Sequence, residues 1–273
     1  MLGSPISHSL SPTLHRAAYA ALGLDWVYQA HDVDQAGLPG FLDSMGPEWR
    51  GLSLTMPLKR AAIGLCTRVS SQARLVGAVN TVLVEAPGGL VGLNTDVPGF
   101  VAAWREAGIG DVGHAIVLGG GATARSAVAA LAEIGATHVT VLARSPERAG
   151  AVVSLLSVLE LDSEIGLLSN ARRLPNVDLV VSTVPSMPDG SLDDLAEQLV
   201  ARTAAVCDVV YHPRLTRFVT AARRSGLPCA EGLDLLVHQA ALQVELMTGS
   251  ASAPLERMRK AGLAELARRE RES

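Results

Sequence analysis

Apolar and polar positions divide the chain into three stretches with different periods. To about Pro98, helical spacing over Ser11 to Leu22 and Leu38 to Met45 is mixed with strand patterns over Trp26 to Val33 and Gly51 to Thr55. Asn80 to Glu85 and Leu90 to Gly92, joined through Pro87-Gly88-Gly89, predict a hairpin, so this stretch reads as an α/β unit of its own. From His114 the pattern changes. Continuous apolar runs over His114 to Leu118, His138 to Leu142, Asp178 to Thr183 and Ala204 to Val209 alternate with helical patterns over Thr123 to Ile134, Pro146 to Leu159, Leu192 to Ala201 and Thr216 to Ser225. Apolar runs without alternation mark strands covered on both faces, which predicts a parallel, doubly wound sheet. Gly232 to Ser273 reads as two helices separated by Gly249 to Pro254, whose natural place is against the first stretch. No internal repeat or low-complexity linker interrupts the pattern. Before the first turn, Met1-Leu2-Gly3-Ser4-Pro5 leaves almost no strand, which predicts a first strand cut short or a start assigned downstream of the true one.

Composition narrows the class. With 273 residues, 48% of them hydrophobic, the chain can bury a sizeable core, built from Ala, Val and Leu because aromatics make up 3%. So few aromatics exclude broad stacking platforms for bases, and a net charge of -4 supplies no basic field for a polyanion, so nucleic acid is not an expected partner. Cys66, Cys207 and Cys229 are widely spaced and form no CxxC pair, which predicts reduced thiols in a cytoplasmic protein and no metal site. No apolar run approaches the roughly 20 residues of a membrane span.

The clearest motif is Ile116-Val117-Leu118-Gly119-Gly120-Gly121-Ala122-Thr123-Ala124-Arg125, a strand running into GxGxxA and then a helix. Gly119 suits the tight turn, Gly121 lets a pyrophosphate approach the backbone, and Ala124 permits close packing of helix on strand. The helix N-terminus then faces the anion. Gly119, Gly120, Gly121, Ala122, Thr123 and Ala124 are therefore candidate cofactor contacts in a Rossmann-like domain. The next strand pattern ends in Ala143-Arg144-Ser145-Pro146-Glu147-Arg148, where an NAD-binding chain would place an acid for the ribose hydroxyls. Arg144 and Arg148 instead suit a 2′-phosphate that two guanidiniums can fork, so NADP is expected over NAD. Two solvated arginines are the competing reading.

Ser53-Leu54-Thr55-Met56-Pro57-Leu58-Lys59 places a lysine just past a proline at the end of an apolar strand pattern. Pro57 ends strand pairing, and a cation at the start of the next helix opposes its dipole, so Lys59 is not there for helix stability. Such a position suits a proton donor. Taken alone, Lys59 reads as an ordinary solvated lysine.

Together with these segments, Gly3-Ser4-Pro5-Ile6-Ser7-His8-Ser9-Leu10-Ser11-Pro12, Gly77-Ala78-Val79-Asn80-Thr81, Asn94-Thr95-Asp96 and Gly232-Leu233-Asp234-Leu235-Leu236-Val237-His238-Gln239-Ala240 resemble the shikimate dehydrogenase family, in order and over nearly the whole chain. The resemblance implies two domains. Residues 1–98 with 232–273 would bind substrate, and residues 99–231 would bind NADP. It implies reversible, NADPH-dependent reduction of 3-dehydroshikimate to shikimate, on the route to aromatic amino acids, by a monomer or homodimer.

By this resemblance Ser9 and Ser11 bind the substrate carboxylate, Thr55, Asn80 and Gln239 contact the ring hydroxyls, and Tyr211 lies near the carboxylate. Lys59 and Asp96 would form the catalytic pair: the lysine delivers a proton as hydride reaches the C3 carbonyl, and the carboxylate favours the lysine's charged form. Each residue has a structural alternative. Ser11 before Pro12 fits a helix N-cap, and Asp96 fits a cap for a helix starting near Pro98. Thr55, Asn80, Gln239 and Tyr211 fit a strand, a hairpin, a helix and a strand end. Ser53 stands where the family carries a substrate-binding asparagine, and a hydroxyl is shorter than an amide, so that contact would be weaker or filled by water. The glycine loop reads Gly-Gly-Gly-Ala-Thr-Ala where the family often has Gly-Ala-Gly-Gly-Ala-Ser. That change removes one phosphate hydrogen bond and keeps the backbone cradle. Two rivals remain: a quinate/shikimate dehydrogenase with relaxed substrate or cofactor choice, and a non-catalytic regulator that binds NADP or a shikimate-like ligand.

Overall fold

The computed structural model describes residues 1–85, 88–168, 175–185 and 192–272, so Pro87 of the expected hairpin lies outside the described residues. The chain divides into two compact units, Met1–Thr95 with Leu236–Ser273, and Asp96–Leu235.

In the first unit, β1 (Leu2–Gly3) precedes α1 (Ser11–Ala21), β2 (His31–Asp32), α2 (Leu38–Asp43), β3 (Gly51–Ser53) and α3 (Leu58–Ala61). Then come β4 (Arg68–Val69), α4 (Ser71–Val76), β5 (Thr81–Glu85) and β6 (Gly89–Leu93). β1 and β2 pair in parallel, and β3, β5, β6 and β4 form a sheet in that order, antiparallel except for the β4/β6 pair. A bridge between Leu2 and Leu54 ties β1 to the end of β3. Trp26 to Val33 forms a strand at His31–Asp32 alone, because its partner β1 is itself two residues long and Val27 is 78% exposed. Leu2, Leu38, Leu52, Leu54, Leu58, Val79 and Val82 make the core beneath this sheet.

The second unit begins with α5 (Asp96–Glu106) and continues β7 (His114–Leu118), α6 (Ala122–Glu133), β8 (His138–Ala143), α7 (Pro146–Val158) and β9 (Asp162–Leu167). It ends with β10 (Val177–Ser182), α8 (Asp193–Val200), β11 (Thr203–Asp208), α9 (Arg217–Arg224) and β12 (Cys229–Ala230). All pairs in its six-stranded sheet are parallel, in the order β12-β11-β10-β7-β8-β9. The chain winds outward from β7 through β8 to β9, returns, and winds the other way from β10, so the topological switch lies between β7 and β10. β9 carries Asp162, Ser163 and Glu164, exposed on an edge strand, and so presents no apolar pattern to read from sequence.

α10 (Gly232–Thr248) and α11 (Leu255–Glu272) follow, and from Leu236 onward they belong to the first unit, where α11 packs along α1.

Candidate active site

The Lys59 segment is shaped by alternation followed by a turn. Leu52 and Leu54 point into the core, the Leu58 amide closes a turn on Thr55 O at 2.8 Å, and Leu58 is fully buried as α3 begins. Thr55 is pinned by its own amide, which donates to Leu2 O at 3.0 Å. Lys59 is half-buried, and its carbonyl accepts from the Val79 amide at 2.7 Å, which holds the lysine backbone beside the strand that carries Asn80.

Asn80 is buried, and its neighbours fix its amide. Oδ1 accepts from the Thr95 amide at 2.8 Å and from the Thr81 hydroxyl at 2.8 Å, so Nδ2 must be the donor to Thr95 Oγ1 at 2.9 Å and Gln239 Oε1 at 3.3 Å. Gln239 in turn donates to Leu236 O at 3.0 Å. Ser53 is also buried. Its hydroxyl donates to Gln243 Oε1 at 2.8 Å and accepts from the Tyr28 phenol at 2.6 Å, so its one proton is already committed within the protein. Burial raises the Tyr28 phenol's pKa, and it lowers His15, stacked on Tyr28 at 4.0 Å, to about 3, so both are neutral.

Ser9 and Ser11 sit at the start of α1. Ser11 is the first helical residue and Leu10 occupies the cap position with no side-chain cap bond, which corrects the N-cap reading of Ser11. Ser9 takes that duty in part, its Oγ accepting from the Ser11 amide at 3.2 Å. From α11, Arg269 donates to His8 O at 2.7 Å and Ser9 O at 3.3 Å, bracing the loop.

In the second unit the glycine motif falls at the carboxyl end of β7, at the topological switch. Gly119 has φ +117, and a β-carbon there would overlap Oγ1 of Thr183 at the end of β10. Glycine is therefore required by the protein itself. Gly121 differs: its φ of -84 suits any residue, and a β-carbon there meets no protein atom within 4 Å. It is the cap residue of the 12-residue helix α6, with no side-chain cap bond, so the first-turn N–H groups are available to an anion such as a pyrophosphate. Ala122 and Thr123 supply that first turn, Gly120 links it to the strand, and Ala124 is fully buried, as close packing requires. Arg144 is exposed just past the end of β8, and the side chain of Arg148 lies outside the described residues. Tyr211 follows β11 in the same unit. Asp208, at the end of β11, accepts from Thr216 Oγ1 at 2.6 Å and from the Val210 amide at 3.1 Å, with its pKa raised to about 6 by burial. Asp96 is the buried first residue of α5, inside the helix and not its cap.

The family model described as the shikimate dehydrogenase substrate binding domain matches residues 1–82, and that of the shikimate 5'-dehydrogenase C-terminal domain matches residues 232–261. A curated relative from Thermus thermophilus, named shikimate dehydrogenase (NADP(+)), is 40% identical over 98% of this chain and 97% of its own. The chain belongs to the shikimate dehydrogenase family. A solved shikimate dehydrogenase from Mycobacterium tuberculosis shares 38% identity with a TM-score of 0.84, covering 96% of this chain and 97% of that one. Shikimate 5-dehydrogenase from a second strain of Thermus thermophilus, solved with NADP(H) and shikimate, gives 37% identity and a TM-score of 0.82, covering 96% and 97%.

Among the residues this shikimate dehydrogenase family member was expected to use, Ser53, Asn80 and Gln239 come together in one network, and Ser9 and Ser11 adjoin each other. Asp96 and Tyr211 belong to the second unit. Sequence reading passed over Thr81, Thr95 and Gln243. Gln243 had a signal, since it stands four residues past Gln239 and so shares its helix face. Among the described residues no group of His, Cys, Asp and Glu could hold a metal ion, and no helix is long and apolar enough to cross a membrane.

Proposed function

We propose that this chain catalyses the reversible, NADPH-dependent reduction of 3-dehydroshikimate to shikimate. The observation that carries the reading is the convergence of Ser53, Asn80 and Gln239, from three separate motifs, on one uncharged hydrogen-bonding cluster beside the Lys59 segment. Donors and acceptors without net charge suit a polyhydroxylated ring. Its relatives' names and the NADP(H) and shikimate held by the Thermus thermophilus structure support the same reaction.

In this reading NADPH, when bound, supplies the hydride. Addition at the C3 carbonyl carbon moves an electron pair onto oxygen, and the Lys59 ammonium stabilises that charge and delivers the proton that completes the hydroxyl. In the oxidative direction neutral Lys59 takes that proton back. Asp96 is the second catalytic residue, its carboxylate accepting from a substrate hydroxyl. Asn80, Thr55 and Gln239 hold the ring hydroxyls, and Ser9, Ser11 and Tyr211 hold the carboxylate end. Gly119, Gly120, Gly121, Ala122, Thr123 and Ala124 form the pyrophosphate cradle, with Arg144 and Arg148 on the 2′-phosphate. The first unit takes substrate and the second takes NADP. Three free thiols fit the cytoplasm as its compartment.

The test is spectrophotometric: purified protein with shikimate and NADP, watching NADPH appear, then with quinate and with NAD. Turnover of shikimate with NADP well above the other combinations is the expected result. Binding of both ligands without reduction would contradict it and favour a regulator.

A further inference from the structure

The buried cluster around Ser53 has a direction, and one backbone oxygen sets it. Asn80 O already accepts from the Leu54 amide at 2.7 Å, and Gln243 Nε2 lies 3.1 Å from the same oxygen. A carbonyl cannot donate, so the Gln243 atom facing it must be its NH2 and the opposite atom its oxygen. Every other polarity then follows. Gln243 Oε1 can only accept, which forces the Ser53 hydroxyl to donate to it at 2.8 Å and Nε2 of neutral His15 to donate to it at 3.2 Å. Ser53 Oγ is left to accept from Tyr28. On the other side the second hydrogen of Gln243 Nε2 goes to Thr81 Oγ1 at 2.9 Å, which turns the Thr81 proton onto Asn80 Oδ1 at 2.8 Å. Asn80 Oδ1, already an acceptor for the Thr95 amide at 2.8 Å, is thereby held as acceptor from a second side, with Nδ2 as donor.

We propose that Gln243 is a positioning residue for substrate binding: through Thr81 it holds the Asn80 amide from a second side in the orientation that the Thr95 amide also requires, and Ser53 belongs to its support and not to the substrate's contacts. This rests on the proposed reading of Asn80 as a ligand of the ring hydroxyls. Gln243 is 1% exposed, so its place is behind the ligand-facing groups. Its four hydrogen bonds join side chains from α1, β3 and β5 to α10, and its removal would leave Asn80 with one fewer constraint on its amide. The serine in place of the family asparagine is explained in the same way. A hydroxyl fits between a phenol and a glutamine carbonyl and satisfies both, donating to one and accepting from the other.

A mutant cycle with shikimate as the probe tests this, read both as KM in turnover with NADP and as calorimetric Kd. Gln243→Met, close in size and without hydrogen bonds, is expected to raise shikimate KM and Kd about tenfold, the ordinary worth of one to two neutral hydrogen bonds. Both kcat and KM for NADP should stay within about twofold. Thr81→Val, which removes the relay hydroxyl with less disturbance, is expected to shift them in the same direction. Because Gln243 acts through Asn80, adding Gln243→Met to Asn80→Ala is expected to change Kd by less than about twofold further. A general packing role would instead multiply the losses and fall equally on NADP. The inference is overturned if folded Gln243→Met and Thr81→Val bind shikimate like the parent, or if either loss multiplies with that of Asn80→Ala. A parent that binds shikimate without oxidising it would sink the catalytic reading and leave the Kd cycle to judge this one; a parent that does not bind it would sink both.

Discussion

A β-carbon on Gly119 would overlap Oγ1 of Thr183, whose hydroxyl donates to Leu118 O at 2.7 Å and so locks the ends of β7 and β10 together. Gly121, two residues on, has no such neighbour. The two glycines therefore answer to different demands, the first to the protein and the second to a ligand. Gly119→Ala is expected to destabilise the fold by about 1–3 kcal/mol, through its positive φ and the overlap, and to weaken NADP binding with it. Gly121→Ala is expected to keep stability within about 0.5 kcal/mol of the parent while losing NADP affinity at least about tenfold. Thermal melts alongside NADP titration separate the two. Equal behaviour of the variants would remove Gly121 from the pyrophosphate cradle.

Arg144 stands exposed past the end of β8, where no acid is present to receive a ribose hydroxyl. Removing one guanidinium from a 2′-phosphate matters to NADP and hardly to NAD. Arg144→Ala is expected to raise KM for NADP by about tenfold or more with little change for NAD, measured in parallel assays. Parallel losses for both cofactors would show that the arginine does not read the phosphate.

Two buried groups give opposite pH responses. Burial lowers His15 from 6.5 to about 3, so the unfolded chain binds a proton that the native one refuses; its contribution is full above 6.5 and is lost as pH falls toward 3. Burial raises Asp208 from 3.8 to about 6, so the native chain keeps a proton that the unfolded one releases, and this contribution is full below 3.8 and is lost as pH rises through 6. Each changes stability by up to about 1.4 kcal/mol per pH unit inside its window. Relative to the parent, His15→Gln should gain stability as pH falls from about 6 to 4, and Asp208→Asn should lose it over the same range. Urea unfolding across that range gives the slopes. A parent-like slope in either variant would place that group outside the buried environment described.

Arg269 reaches from α11 to the carbonyls of His8 and Ser9, and Glu265 holds its guanidinium at 2.8 Å. Arg269→Ala frees the loop that presents Ser9. Shikimate KM is expected to rise several-fold, about the worth of one charge-assisted hydrogen bond, with KM for NADP unchanged. Steady-state kinetics with each ligand varied in turn checks it.

The doubly wound sheet was legible because β7, β8, β10 and β11 each carry a short apolar run (residues 115–118, 141–143, 179–181 and 204–207), and each is followed by a helical pattern. The edge strand β9 was not, since an exposed edge needs no apolar residues. In the first unit the short strands β1, β2 and β4 are fixed by pairing partners far away in sequence, which local periodicity does not carry. The substrate motifs singled out Ser53, Asn80 and Gln239 as substrate contacts, and the fold joins them in one network, yet the direction of the Ser53 hydroxyl depends on Gln243 and Tyr28, which only the folded chain brings to it. Ser11 was misread as a cap because a serine before proline satisfies the local rule, while the chain begins its helix one residue earlier than that rule requires.

The central claim is that Lys59 carries the proton at the C3 oxygen, and kcat for shikimate oxidation by NADP in Lys59→Ala tests it most directly. With folding verified by a parent-like melt and shikimate Kd, kcat is expected to fall about 10² to 10⁴-fold, the range for loss of a general acid–base group. A folded Lys59→Ala enzyme whose kcat stays within about threefold of the parent would contradict the account.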